Sequence, residues 1–178
     1  TLNDFQPAPH FVDRAAGVGL AEARVLVAGG RGVGGPEGFS VLVQLADLLD
    51  GAIGCSRVVT SNGWRPHNEQ VGQTGTKVAP DLYIACGISG ATQHIAGCRN
   101  AKTMIVINTD GEAPIMGYAD YAVIGDLNQV IPALVTAIRA RDARTATAVR
   151  HGADFGDADA DADAAGDADA DADADADR

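Results

Sequence analysis

Lysine is scarce in this chain, occurring only at Lys77 and Lys102 against eleven arginines. No lysine stands in any glycine-rich turn, which removes the phosphate-binding P-loop. Neither glycine turn of the stretch 71–94 carries the Ser/His/Asp set of a hydrolase. The three cysteines, Cys55, Cys86 and Cys98, form no CxxC pair and are odd in number. Reduced, mostly buried thiols in a cytosolic protein are the reading that fits, rather than a disulfide framework or a zinc site. No apolar run approaches the ~18 residues of a membrane span, and no signal peptide opens the sequence. Nor is there a basic surface. The formal charge is −11, but residues 151–178 hold eleven aspartates and one arginine. The other 150 residues hold 13 acidic and 12 basic side chains, so they are nearly neutral and carry no dedicated nucleic-acid surface.

What is present is a chain of 178 residues, 46% of them hydrophobic, enough for one domain with a real core. Residues 1–23, with Pro7, Pro9, Gly17 and Gly19, read as a linker or arm, and Thr1 in place of Met fits a piece of a longer chain. The run "ARVLVAGG" is a buried strand ending in glycines, followed by "RGVGGPEGF". In "FSVLVQLADLLD" the positions Phe39, Leu42, Val43, Leu45, Ala46 and Leu49 recur at helical spacing. A second strand is expected near "AIGCSRVV", a third at "DLYIACGIS", a fourth at "TMIVINTD" and a fifth at "YAVIGD". Helices are expected at "GATQHIAGC" and, closing the domain, at "LNQVIPALVTAIRAR". Continuous apolar strands alternating with helices predict an α/β fold, an open parallel sheet with helices on both faces, over residues 24–150. The Asp/Ala alternation of 151–178 mimics a strand. Aspartate disfavours strands, and its charges repel along the run and at i,i+4 of a helix, so a disordered acidic tail is expected.

In an open parallel sheet, ligands sit beyond the carboxyl ends of the strands. The polar and glycine positions of this sequence fall at those places: Gly29 to Gly35, Ser56-Arg57, Gly87 to His94, Asn108-Thr109-Asp110 and Gly125-Asp126. A segment such as "GISGATQH" leads from a strand into a helix, whose free N–H groups and dipole favour an anion. "GGRGVGG" is not the G-x-G-x-x-G fingerprint, because counting from Gly30 the third glycine falls at Gly35. No acid stands about twenty residues later to hold a ribose in the usual way; Asp47 and Asp50 lie on the helix. A dinucleotide with a long polar middle would use all five strand ends.

The segments "GGRG", Ser56-Arg57, "QVGQTG" at 70–75, "PDLYIACGISGATQH", "INTDGEAPI" and "ADYAVIGDL" closely resemble the C-terminal FAD-binding domain of the electron transfer flavoprotein alpha subunit. The resemblance runs in register from about Arg24 to Ile138. It implies a Rossmann-like, deoxyhypusine-synthase-like NAD/FAD-binding domain with FAD as cofactor. Position by position, it implies Arg31 near the diphosphate and adenosine, Ser56 at the flavin end, and Arg57 against the isoalloxazine. Gln70 opens the loop in which Val71, Gly72, Gln73 and Thr74 line the ring, with the Thr74 hydroxyl at N5. Ser89, Gly90, Ala91, Thr92, Gln93 and His94 would hold ribityl and pyrophosphate, with His94 directed at O2, while Asn108 and Asp126 fix the adenosine half. "NTDG" at 108–111 departs from the family's usual Asn-Lys-Asp-Pro, removing a positive charge and leaving Asn108. The family's alpha subunit also has an N-terminal domain packed on a beta subunit, where only a linker-like segment precedes Arg24 here.

The resemblance implies a carrier of single electrons rather than an enzyme, working as a heterodimer with the beta subunit. Its partners would be acyl-CoA or other flavin dehydrogenases, as in fatty acid beta-oxidation, and a quinone oxidoreductase. It would act in a prokaryotic cytoplasm, or in the mitochondrial matrix if eukaryotic. The flavin supplies the redox chemistry and the protein adjusts its electronics. Two alternatives stay open on the residues: an NAD-binding enzyme domain of the same sheet topology, and a cofactor-free assembly fragment.

Overall fold

A computed structural model describes residues 19–153, with side chains described as far as Arg150. The expected arm before residue 19 and the Asp/Ala tail from residue 154 lie outside the described residues. The described residues divide into two units, one ending at Ile138 and one beginning at Arg139.

The first unit is an α/β sandwich. Its strands are β1 (Val25–Gly29), β2 (Ala52–Cys55), β3 (Leu82–Cys86), β4 (Thr103–Asn108) and β5 (Tyr121–Ile124). The helices are α1 (Phe39–Leu48), α2 (Arg57–Ser61), α3 (Thr92–Cys98) and α4 (Leu127–Ala153). All five strands are parallel in the order β2-β1-β3-β4-β5, with Val27 opposite Ile53 on one side and Ile84 on the other.

Successive residues of a strand point to opposite faces, and here both faces are buried. Val27, Ile53, Ile84 and Ile107 meet Phe39, Leu42 and Leu45 of α1 and Leu127, Ile131 and Val135 of α4. Leu26, Ala28, Tyr83, Ala85 and Val106 meet Ile95 and Cys98 of α3, with Ala113 and Ile115. That double burial is why these strands are continuous apolar runs. Strand order reverses between β1 and β3, and the carboxyl ends of the strands at such a reversal are where an open parallel sheet places its ligand.

Three boundaries differ from the sequence expectation. The second strand stops at Cys55, and Arg57-Val58-Val59-Thr60 form the helix α2 rather than extending the strand. These β-branched residues favour a strand locally, but burying Val59 in the core fixes the turn. Residues 20–23 are not a free arm, since Ala23 is buried and Leu20 packs beneath the sheet. Finally, α4 continues past Arg141 to Ala153. Its residues 139–150, the described side chains of the second unit, are exposed throughout. The Ala- and Arg-rich composition of this stretch supports a helix without core contacts.

Candidate functional site

The loops after β1 and β3 pack backbone against backbone. Gly32 N–H donates to the Gly87 carbonyl at 3.0 Å. Gly87 has φ +62°, and a Cβ there would lie 2.8 Å from Gly32 Cα, so only glycine fits this crossing. A third loop, Gln70 to Thr76, closes the side beyond β2. Val71 N–H donates to the Cys55 carbonyl at 2.9 Å and Gln73 N–H to the Gln93 carbonyl at 2.9 Å, which ties the loop both to the sheet and to α3.

The loop's approach is held by a largely buried ion pair. Arg65 binds both Glu69 carboxylate oxygens, at 2.6 and 2.7 Å, with its guanidinium 5.7 Å from the Phe39 ring centre. Arg65 is 5% exposed, so removing Glu69 would take the paired carboxylate away from a buried charge. Neither residue was singled out in the sequence. Their four-residue spacing signals a contact only on a helix, and here it spans a loop with a single 3-10 turn at His67–Glu69.

Between these loops lies a cavity of about 720 Å³. Fourteen of the sixteen residues singled out in the sequence line it: Arg31, Ser56, Arg57, Gln70, Val71, Gly72, Gln73, Thr74, Ser89, Gly90, Ala91, Gln93, His94 and Asn108. Thr92 and Asp126 do not. Thr92 opens α3 as an exposed residue. Asp126 caps α4, its Oδ1 accepting from Asn128 N–H at 2.9 Å. The lining also includes Gly32, Gly87, Ile88 and Asp110, which lie in the strand-end segments marked in the sequence, and Val58 and Ala113, which do not. Apolar residues such as Val58 and Ala113 give no polar signal in a sequence, and their position is visible only once the loops are folded together.

Two buried side-chain atoms among the described residues have no hydrogen-bond partner, Ser56 Oγ and His94 Nδ1. Both belong to cavity-lining residues. A serine at a helix N-cap normally accepts from the N–H groups of the first turn. Ser56 stands at the N-cap of α2 and makes no such bond. His94 is 5% exposed and its Nε2 lies 2.8 Å from the Tyr83 hydroxyl. Burial pushes the His94 pKa down to about 4, and the backbone of Val71 offsets part of this. The imidazole is therefore neutral at neutral pH and can offer a hydrogen but no charge. Burial likewise pushes Tyr83 well above its usual range, so its hydroxyl keeps its hydrogen.

Positive charge comes instead from Arg31 and Arg57. Both are exposed at the cavity, and neither forms an ion pair among the described residues. Arg57 is the first residue of α2, where the helix dipole adds to its positive field. Asn108 serves as a brace: its Nδ2 donates to the Ile88 carbonyl at 2.9 Å and its Oδ1 accepts from Asp110 N–H at 3.0 Å. Cys55 and Cys86 are driven up to about 12 and Cys98 to about 11, mainly by burial, so none of the three is a thiolate nucleophile.

The cavity thus offers neutral donors, two arginines and glycine-rich backbone across the ends of four strands, with no nucleophile and no group of ionisable ligands suited to a metal among the described residues. The family model described as "Electron transfer flavoprotein FAD-binding domain" matches residues 19–99. The chain belongs to the electron transfer flavoprotein alpha-subunit family. It is 52% identical over 122 residues to the electron transfer flavoprotein subunit alpha of Thermoanaerobacterium thermosaccharolyticum, covering 68% of this chain and 37% of the relative. It is 56% identical over 117 residues to that of Mycobacterium tuberculosis, covering 66% and 37%. For that of Bacillus subtilis the identity is 52% over 120 residues, covering 67% and 37%. The chain therefore spans little more than a third of the length of these relatives. Within the electron transfer flavoprotein fold described here, no helix among the described residues is long and apolar enough to cross a membrane.

Proposed function

We propose that this domain holds FAD in the cavity and serves as the flavin-bearing part of an electron transfer flavoprotein. The observation that carries this reading is the pair of buried polar atoms without partners, Ser56 Oγ and His94 Nδ1, set on two different strand ends of one cavity. A buried polar atom left unpaired costs about 1–3 kcal/mol. A polar ring system entering between Ser56 and His94 would satisfy both. When bound, FAD supplies reversible one- and two-electron chemistry, and the residues tune and shelter it.

Each lining residue has a part in that reading. With the Tyr83 hydroxyl donating to Nε2, the neutral His94 ring carries its hydrogen on Nδ1 and offers it to a flavin carbonyl oxygen. Arg57 places a permanent positive charge where the ring gains negative charge on reduction. One unit charge at about 4 Å and an effective dielectric near 20 is worth at most about 4 kcal/mol. Thr74, Gln73 and Val71 line the ring, and Ser89 to Gln93 meet the diphosphate with the N–H groups that α3 leaves unpaired at its start. Arg31 offsets part of the diphosphate charge, and the adenosine lies toward Asn108. Asp126, occupied in capping α4, supports the fold from outside the cavity.

The proposed partners follow from the family: a beta subunit completing the heterodimer, flavin dehydrogenases such as those for acyl-CoA as electron donors, and a quinone oxidoreductase as acceptor. The proposed setting is the cytoplasm, and the proposed role is an electron carrier rather than an enzyme. Titrating the protein with FAD and with FMN tests the cofactor reading. FAD binding more than tenfold tighter than FMN, with perturbed flavin absorption bands, is expected. Equal affinity for the two would remove the adenosine half of the assignment, and no binding of either would remove the reading.

A further inference from the structure

Thr60 stands behind the wall of the cavity and has a hydroxyl with two acceptors. Its Oγ1 lies 2.9 Å from the Arg57 carbonyl oxygen and 2.7 Å from Gln70 Oε1. A hydroxyl has one hydrogen and donates once. On the other side of the same amide, Gln70 Nε2 lies 3.1 Å from Thr74 Oγ1. Gln70 is 2% exposed, which leaves its amide dependent on these partners. Gln70 and Thr74 line the principal cavity, and Thr60 does not.

Two hydrogen arrangements satisfy this chain of groups. In the first, Thr60 donates to Gln70 Oε1, the amide NH2 donates to Thr74, and the Thr74 hydrogen is left for the cavity. In the second, Thr60 donates to the Arg57 carbonyl and the amide is turned over, so that its NH2 donates to Thr60. Thr74 then donates back to the amide oxygen, and a Thr74 lone pair faces the cavity. The two ends of the amide have nearly the same shape, so the turn needs no repacking. Every group keeps its own hydrogens in both arrangements, and no proton is transferred.

We propose that Thr60, Gln70 and Thr74 form a reversible hydrogen-bond relay that lets Thr74 donate to a ligand ring nitrogen without a hydrogen and accept from that nitrogen once it carries one. The proposal rests on the FAD reading, because a flavin ring nitrogen changes in this way when the ring takes up two electrons and two protons. Thr60 is then a positioning residue that acts on the ligand only through Gln70 and Thr74. A hydroxyl fixed as a donor would suit the oxidised ring and oppose the reduced one; the relay suits both.

The test measures dissociation constants of oxidised FAD and of FAD reduced with dithionite under anaerobic conditions, with protons from the buffer. Thr60→Val is expected to leave oxidised FAD nearly unchanged and to weaken reduced FAD about three- to tenfold, the worth of one net hydrogen bond. Without the Thr60 hydroxyl the first arrangement loses one bond, Thr60 to Gln70 Oε1, and the second loses two, the amide NH2 to Thr60 and Thr60 to the Arg57 carbonyl. Thr60→Ser is expected to restore the wild-type ratio. In a Thr74→Val background, Thr60→Val is expected to leave the ratio unmoved. Equal weakening of both redox forms would make Thr60 merely structural and overturn the relay, as would an unmoved ratio in the single variant. If Thr60→Val does not fold, Thr60→Ala carries the same expectation. Failure of the unsubstituted protein to bind FAD would overturn the FAD reading together with the relay; binding with an unmoved ratio would overturn the relay alone.

Discussion

Strands β3 and β5 are both short apolar runs, LYIAC and YAVI, followed by a glycine-bearing turn. In β3 the residues Tyr83 to Cys86 are buried on both faces, whereas all four residues of β5 are exposed. Tyr121 is 66% and Ile124 60% exposed. β3 lies at the centre of the sheet between β1 and β4, and β5 pairs on one side only with both faces uncovered, whereas β2, the other edge strand, is buried at all four positions. Function follows the same division. The segment after β3 supplies Gly87 to Ala91, Gln93 and His94 to the cavity, while Gly125 and Asp126 after β5 supply nothing to its lining. Apolar content marks a strand, and the order of strands decides whether its end can build a site.

The strongest break in this comparison is a truncation in each strand. Ile84→Ala removes a fully packed side chain and is expected to cost about 2–5 kcal/mol. Ile124→Ala is expected to stay within about 0.5 kcal/mol. Chemical denaturation of the two variants checks the contrast, and equal losses would mean β5 is as embedded as β3.

Acid sharpens the contrast next. His94 has a folded-state pKa near 4 against the ordinary 6.5, so the unfolded chain binds a proton that the folded protein excludes between these values. Stability is therefore full above about pH 6.5 and falls as the pH drops toward 4, by about 3 kcal/mol from this residue. Denaturation midpoints across this window should show the loss in the parent protein and lack it in His94→Gln.

Arg57→Ala, beside the cavity, is expected to lower the first reduction potential of bound flavin by tens of millivolts, on the order of 100 mV at most. Its exposure keeps the effect below the full Coulomb value, and the fold should survive because no core side chain is lost. Tyr121→Ala in β5 is expected to leave the potential unchanged. Spectroelectrochemical titration reads both.

The smallest effects separate two helix N-caps, Ser56 after β2 and Asp126 after β5. Asp126→Ala is expected to cost about 1 kcal/mol of stability, because its carboxylate caps α4, and to leave FAD affinity unchanged. Ser56→Ala reverses the pattern: stability rises by about 1 kcal/mol, since no capping bond is lost and a buried unpaired hydroxyl is removed, while FAD affinity falls severalfold. Matched denaturation and binding curves for the two variants test this exchange of roles.

By itself, the sequence determined the local elements and the location of the site. Strands β1, β3 and β4 were legible because a parallel strand covered on both sides must be apolar at every position, and α1 because its apolar residues repeat with the helical period. The cavity was legible because glycines and neutral polar residues had to collect at the strand ends that a ligand can reach. Tertiary structure decided which of those ends converge. Packing of Val59 turned Arg57 to Val59 from an apparent strand into the start of a helix, with Ser56 at its N-cap, and so aimed Ser56 and Arg57 at the cavity. It placed Asp126 outside the lining, although its sequence setting is much like that of Asn108. It also brought Arg65 to Glu69, Tyr83 to His94 and Thr60 to Gln70. These pairs leave no periodic signal along the chain, because hydrogen-bond geometry depends on the three-dimensional path of the loops between them.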